Sequence, residues 1–445
     1  MSPHATRKAV IVGLGRTGLA TARFLLARGW QIAVTDSRPE PPGRAELDVL
    51  APAAEVRCGG FDLGLLAGAS LVVASPGIAL TEKIFVAAAE RGIEVVGDIE
   101  LFARATSADV VGITGTNGKS TVTTLVGRMA ARAGIDVRVG GNLGPPALEL
   151  VGDHEPQLYV LELSSFQLEA TETLKLRAAV VLNLTPDHMD RYCDMQAYAD
   201  AKARIFRHCD VAVINADDEY VRAMPHAARA VESFSLQAAT DARWRITPHD
   251  GAPWLARDRE LLLPVSALRV AGLHNAANAL AALALGEALG LPRAAMLEEL
   301  REFTGLPHRS QWVAERHGVR YIDDSKGTNV GATLAAVAGM PGTLVLIAGG
   351  DGKGQDFTPL AAGLKGRVRH AMLIGRDAER LAAVLRAVCP VDVHATLESA
   401  VVAAATVAHS GDTVLLSPAC ASLDMFKDYA HRGRVFAAAV RSLSA

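Results

Sequence analysis

The run Val111-Gly-Ile-Thr-Gly-Thr-Asn-Gly-Lys-Ser-Thr121 constrains this chain more than any other segment. An apolar stretch enters a loop containing Gly115, Thr116, Asn117 and Gly118, and Lys119, Ser120 and Thr121 follow directly. That order predicts a buried strand, a glycine-rich turn and the first turn of a helix. Glycine lets backbone N–H groups close around phosphate oxygens, and the helix N-terminus adds favourable partial charge. Lys119 has the reach for terminal phosphates, and Ser120 or Thr121 offers a hydroxyl to Mg2+. The match to G-x-x-x-x-G-K-[ST] is incomplete, because Ile113 stands where the first glycine belongs. The bland alternative is a glycine-rich turn with an exposed lysine. Strand, glycines, lysine and two hydroxyls occurring together favour a phosphate site, and with it ATP-driven chemistry.

The 445 residues give material for about two to four domains. Hydrophobic residues at 50% and charged residues at 21% describe an ordinary globular chain. A net charge of −3 argues against a polyanion-binding surface, so no nucleic acid partner is expected. Cys58, Cys193, Cys209, Cys389 and Cys420 show no C-x-x-C spacing and read as reduced thiols of a cytoplasmic protein. The opening MSPHATRK runs into a strand without an apolar signal region. No apolar run reaches bilayer length, so membrane insertion is not expected.

Strands and helices alternate in three segments. Residues 1–98 carry predicted strands at 9–12, 31–35 and 70–75, with helical spacing over 17–28 ended by Gly29. Residues 99–305 carry strands at 110–114, 158–162, 178–183 and 211–215, whose continuous apolar runs suit parallel strands buried on both faces. Residues 234–265, richer in Trp, Thr, Arg and Pro, read as a small strand-rich insertion, and a helix follows over 275–289. Residues 306–445 alternate again, with strands at 321–324, 343–348, 370–374 and 413–417. The expectation is three α/β domains: a Rossmann-like first, a P-loop-type centre and a Rossmann-like third, with clefts between them.

The candidate chemistry falls at strand ends, where open α/β sheets present their ligands. Gly13-Leu-Gly-Arg-Thr-Gly18 fits G-x-G-x-x-G, and Asp36 stands 18 residues after its last glycine. Taken alone this suggests a dinucleotide, but the same geometry serves any diphosphate joined to a ribose. Glu162 closes a buried strand and is well placed for Mg2+ beside the phosphate loop. Asp187, His188 and Asp190 crowd into four positions. Lys202, in an apparent helix, reads by itself as a solvated lysine. Lys326 and Lys353 lie in loops where they could clamp an anion or simply be solvated. Cys420, with no evident His partner, reads as a buried structural thiol.

Six motifs occur in order: Gly-Thr-Asn-Gly-Lys-Ser-Thr from 115, Glu-Leu-Ser-Ser-Phe-Gln from 162, Asp-His-Met-Asp-Arg from 187, Gly-Leu-His-Asn from 272, Gly-Leu-Pro-His-Arg from 305 and Asp-Ser-Lys-x-Thr-Asn from 324. Together they resemble the Mur ligase family, from Gly13 to Gly433. The resemblance implies a three-domain enzyme of peptidoglycan precursor synthesis. In that reaction ATP phosphorylates the carboxylate of UDP-N-acetylmuramoyl-L-alanine, and the amine of glutamate then attacks through a tetrahedral intermediate. The motifs Asp-Ser-Lys-x-Thr-Asn and Ser-Pro-Ala-Cys-Ala-Ser look like those of a D-glutamate enzyme.

Carried over by matching motif, Lys119 and Ser120 would hold ATP phosphates and metal, with Thr121 assisting. Glu162 would bind Mg2+, and His188 and Lys202 would support a second Mg2+. The family's lysine at the position of Lys202 is carbamylated, which replaces the solvated reading. Asn275, Arg309 and Asp324 match nucleotide positions. Arg16, Thr17, Asp36, Ser37, Arg38, Gly77, Asn142 and Gln167 match positions around the UDP-sugar. Lys326, Thr328, Lys353, Ser422, Leu423 and Tyr429 match the glutamate pocket. Four departures stand out. Ser310-Gln311 replace an apolar residue and Glu, Gly327 replaces Ala, Arg16 replaces an apolar residue, and Tyr429 replaces Phe. A monomer is expected. A nicotinamide-dependent oxidoreductase would leave Lys119, Glu162 and the last segment unexplained, a folate-type polyglutamate ligase would not need the Gly13 loop, and a non-catalytic nucleotide sensor would not need Glu162, His188 and Lys202.

Overall fold

The computed structural model describes residues 7–270, 272–340 and 342–443. Three sheets follow one another along the chain. The first contains β1 (Lys8–Val12), β2 (Gln31–Asp36), β3 (Glu55–Cys58), β4 (Ala69–Ala74) and β5 (Glu94–Gly97), all parallel, in the order β3-β2-β1-β4-β5. The second contains β6 (Asp109–Thr114), β7 (Val137–Gly141), β8 (Leu158–Glu162), β9 (Leu176–Val181), β10 (Cys209–Asn215), β11 (Ala230–Ser235), β12 (Trp244–His249), β13 (Ala252–Arg257) and β14 (Glu260–Pro264). Their order is β14-β13-β12-β11-β10-β9-β6-β8-β7. The third contains β15 (Gln311–Arg316), β16 (Val319–Asp323), β17 (Leu344–Gly349), β18 (Val368–Ile374), β19 (Val391–Val393) and β20 (Thr413–Leu416), in the order β15-β16-β20-β17-β18-β19.

The continuously apolar strands sit in sheet interiors with both faces covered, as β6, β8, β9 and β17 show. The sequence reading of residues 234–265 needs correction. These strands are not a separate insertion: β11 pairs parallel with β10, and β12, β13 and β14 extend the same sheet, the last two antiparallel. Their polar faces disguise them as something foreign to a parallel sheet. The helix Leu273–Ala288 covers this end, and its alanines let it pack closely on the helix Lys119–Arg132 that follows the phosphate loop.

One apolar cluster joins the first sheet to a face of the second, running from Leu14 and Phe24 through Ile99 and Phe102 to Tyr159 and Leu168. The third sheet has clusters of its own on its two faces. Among the described residues, no helix is long and apolar enough to cross a membrane.

Candidate active site

The phosphate loop leaves β6 and enters the helix at Lys119. Gly118 has φ +86°, and a Cβ there would stand 2.4 Å from Asn278 Oδ1. Glycine is therefore required both for the left-handed backbone and for the space. The Lys119 ammonium donates to the carbonyls of Gly115 (2.9 Å) and Thr116 (2.8 Å). Burial lowers its pKa, opposed by the nearby carboxylates of Glu162 and Asp187.

Glu162 closes β8 beside this loop and is 3% exposed. Its Oε2 accepts from Ser120 Oγ at 2.6 Å and its Oε1 from Asn142 Nδ2 at 2.6 Å. Burial would raise its pKa, but Lys119 and these two donors win, holding the group ionised below its usual range. Arg309 donates to Ser120 Oγ at 2.6 Å, bringing the residue that precedes the third sheet onto the phosphate loop.

Lys202 is 2% exposed, so the solvated reading fails. Its ammonium donates to the carbonyl of Gly115 (2.9 Å) and to Thr114 Oγ1 (3.3 Å), and it stands 4.8 Å from the Tyr198 ring. No carboxylate pairs with it among the described residues. Burial, reinforced by the charge of Lys119, pushes its pKa well down, so a neutral amine or a modified one is favoured there. The His188 ring packs against Phe166, with centroids 4.9 Å apart, on a backbone with φ +58°. Burial lowers its pKa to about 4, leaving a neutral imidazole with a free acceptor nitrogen near pH 7.

A cavity of about 310 Å³ brings Lys119, Ser120, Glu162, His188 and Lys202 together with Lys326, Thr328 and Lys353. Among the described residues, no three His, Cys, Asp or Glu side chains form a ready-made metal cluster. The ionised Glu162 with the Ser120 hydroxyl suits a hard cation. The His188 side of the cavity suits one only if Lys202 gives up its positive charge.

Beyond the loop a second cavity, of about 270 Å³, is lined by Gly118, Thr121, Asn275, Arg309, Asp324 and Lys326. Asp324 accepts from Ser417 Oγ (2.8 Å) and from the Ser310 N–H (3.0 Å), yet burial lifts its pKa to about 7. Burial, together with the charges of Arg309 and Lys119, lowers Lys326 to about 8. Gln311 points elsewhere: its Oε1 accepts from the His308 N–H at 3.0 Å, and its side chain lines a separate surface groove. The departure at 311 therefore leaves the second cavity untouched, whereas Ser310 lines it. A Cβ at Gly327 would stand 2.6 Å from Asp324 Oδ2 and 2.8 Å from Ser417 Oγ, so a side chain there would require these groups to shift.

A third cleft, of about 470 Å³, lies at the C-terminal ends of β1, β2 and β4. It gathers Arg16, Thr17, Asp36, Ser37, Arg38, Gly77, Asn142 and Gln167, all eight residues expected around the sugar nucleotide. Asp36 is 2% exposed and already engaged, accepting from the Leu14 N–H (2.7 Å) and from Arg38 Nε (2.9 Å) and Nη2 (2.7 Å). That carboxylate shapes the loop and orients Arg38 rather than standing free for a ribose. Asn142 lines this cleft and also the Glu162 cavity.

Ser422, Leu423 and Tyr429 do not line the cavities that hold Lys326 and Lys353. Ser422 is buried, Leu423 is 73% exposed, and Tyr429 reaches the site only through its ring, 4.1 Å from the Lys326 ammonium. Two residues at the site went without a role in the sequence reading. Asp187 accepts from Lys353 at 2.6 Å and from Asn329 Nδ2 at 3.3 Å. Asn329 exchanges side-chain hydrogen bonds with Asn117 at 3.2 and 3.3 Å. The signal for Asp187 was its place after a central strand; Asn329 had only its motif.

Three domain models match in order: the Mur ligase MurD-like N-terminal domain over residues 7–97, the Mur ligase middle domain over 113–286, and the Mur ligase glutamate ligase domain over 308–420. The chain belongs to the Mur ligase family. It is 55% identical over 445 residues to the UDP-N-acetylmuramoylalanine–D-glutamate ligase of Nitrosococcus oceani, covering 100% of this chain and 98% of that one. With the enzyme of the same name from Pseudomonas putida it shares 52% identity over 439 residues, covering 98% and 97% of the two chains. The crystal structure of UDP-N-acetylmuramate-alanine ligase from Thermotoga maritima has the same fold, with a TM-score of 0.63 at 18% identity, covering 98% of this chain and 100% of that one.

Proposed function

We propose that this chain is an ATP-dependent, ADP-forming ligase that joins D-glutamate to UDP-N-acetylmuramoyl-L-alanine in peptidoglycan precursor synthesis. One observation carries the reading. Asn142 forms a wall of both the first-domain cleft and the phosphate-loop cavity, so a sugar nucleotide held in the cleft directs its terminal carboxylate towards Lys119 and Glu162. Residues 1–98 would hold the UDP-linked substrate, 99–305 ATP, and 306–445 the amino acid.

In this reading the carboxylate oxygen attacks the terminal phosphorus of ATP and ADP leaves. The deprotonated amine of glutamate then attacks the acyl phosphate, and the tetrahedral intermediate expels inorganic phosphate. A bare carboxylate is a poor acyl donor, so the first step supplies the leaving group. Lys119, Arg309 and Lys326 offset charge that builds on the phosphoryl oxygens. Thr116, Asn117, Thr121, Asn275 and Asp324 orient the nucleotide. Lys353, released from Asp187, would take a carboxylate of the amino acid, with Thr328 and Lys326 beside it. Glu162 and Ser120 fit one Mg2+, and His188 with a carbamylated Lys202 fits a second. These ions would neutralise phosphate charge when bound. We infer a monomer working in the cytoplasm.

Phosphate release is the test, with ATP, Mg2+ and UDP-N-acetylmuramoyl-L-alanine, comparing D- with L-glutamate. Release with D-glutamate alone, and a product of matching mass, supports the reading. Release with L-glutamate overturns the choice of enantiomer, and release with neither overturns the ligase.

A further inference from the structure

Asp98 is a buried carboxyl that the chemistry above does not use. It opens the helix Asp98–Ala103 at the junction of the first two sheets and is 1% exposed. Its Oδ2 accepts from Gln167 Nε2 at 3.2 Å, and the backbone N–H groups of Asp98 and Ile99 favour its ionised form, while its Oδ1 meets no donor in good hydrogen-bond geometry. A buried carboxyl with an orphaned oxygen costs stability, so packing alone does not account for it. Burial shifts its pKa up to about 6, against the hydrogen bonds of Gln167 and the Ile99 and Asp98 N–H groups.

Gln167, 4% exposed, is the only partner Asp98 holds by a side-chain hydrogen bond among the described residues. Its Oε1 accepts from the Ser164 N–H (3.0 Å) and Ser164 Oγ (3.2 Å), closing the capping box of the helix Ser165–Glu169. A donor at Oε1 and an acceptor at Nε2 together determine which way the amide faces. Nε2 has two hydrogens, and Asp98 takes one. The other has no acceptor among the described residues, and Gln167 lines the first-domain cleft.

We propose that Asp98 is a positioning residue for the sugar-nucleotide substrate: it fixes the Gln167 amide so that one N–H is presented to an acceptor oxygen of the substrate. This rests on the reading of that cleft as the UDP-substrate site. Asp98 does not itself line the cleft; it sits with Gln167 on a small adjoining cavity of about 10 Å³ beside Ser75, Pro76 and Ile78.

The experiment measures steady-state constants and melting temperature for Asp98→Leu, Asp98→Asn, Gln167→Ala and the double variant Asp98→Leu/Gln167→Ala. Asp98→Leu removes the acceptor, and should raise KM for UDP-N-acetylmuramoyl-L-alanine about three- to tenfold, the worth of one misplaced hydrogen bond. Its kcat and its KM for D-glutamate should stay within about twofold of wild type on that same argument. Asp98→Asn keeps an acceptor oxygen and should restore KM. The double variant should be no worse than Gln167→Ala alone, because both changes remove one interaction.

Glu100 is the control. It ties the same junction through the N–H groups of Glu172 (2.8 Å) and Thr173 (2.9 Å) and, among the described residues, makes no hydrogen bond to Gln167. Glu100→Gln should lower the melting temperature and leave KM alone. If Gln167→Ala raises KM and Asp98→Leu does not, the positioning role is overturned while the cleft reading stands. Unchanged KM in Gln167→Ala overturns the cleft reading itself. If Asp98→Leu and Asp98→Asn both lose kcat and melting temperature together, Asp98 is structural and the proposal fails.

Discussion

The middle sheet meets its two neighbours in opposite ways. Towards the first sheet the seam is mainly apolar, with Phe102 and Tyr159 packed edge to face at 4.9 Å and the buried Asp98 and Glu100 bonds set into it. Towards the third sheet, among the described residues, that sheet's apolar clusters contain only residues of the last segment, and of that segment only Leu306 packs on a cluster of the middle sheet. That seam is made of Arg309 on Ser120, Lys353 on Asp187, and Asn329 on Asn117. Apolar contacts have nothing to exchange with a ligand. Polar groups can surrender one partner for another, and the sites proposed for phosphate and amino acid lie along the polar seam. The cleft proposed for the sugar nucleotide instead lies over the mainly apolar one.

The sharpest break in this contrast comes at Lys202. Lys202→Ala should cut turnover by roughly a hundred- to a thousandfold or more, the scale of losing a buried charge-stabilising group. A short carboxylic acid should restore part of it by standing in for a carbamate. Activity near wild type in the variant would remove carbamylation from the account. Lys119→Ala should lower ATP-dependent phosphate release by about a hundredfold or more. Calorimetry should show UDP-substrate binding intact in that variant, because the cleft lies over the other seam.

Truncating the apolar seam tests stability instead. Phe102→Ala should cost about 3–5 kcal/mol in denaturant unfolding, from lost burial and the cavity left behind. Asn329→Ala, on the polar seam, should cost about 1 kcal/mol yet raise KM for D-glutamate. Equal stability losses in the two variants would dissolve the distinction. The smallest effect is on His188, whose ring in the ligand-free protein should titrate near pH 4 by NMR rather than near its ordinary value. The unfolded ring takes up its proton first as pH falls. This residue therefore withdraws stability on acidification between the two pKa values, and gives it back as pH rises.

Much of the molecule was legible because parallel strands buried on both faces must be continuously apolar. The predicted strands are interior ones such as β1, β6, β8 and β17. The overlooked β3, β5, β7, β15 and β19 all lie at sheet edges, where exposure on one side breaks the apolar run. The phosphate loop and Glu162 were legible for a related reason, being polar groups forced to the ends of buried strands. Lys202 was not, because a helix carries no mark in its own sequence of which turn will face a cavity. Asp187 and Asn329 take their meaning from being brought together, and their separation in sequence hides that. The grouping of Ser422 and Leu423 with the lysines came from motif alone, and the described cavities do not reach them.

Gly327 bears on the portability of parts between related enzymes. Asp324 is clamped by Ser417 and Ser310, and the space beside its Oδ2 is filled as soon as residue 327 gains one carbon. The 324–329 loop, its carboxylate and the serine after β20 are thus a matched set drawn from distant stretches of the chain. A chimera that imports the loop with alanine would therefore require the Asp324 carboxylate and the Ser417 hydroxyl to move together.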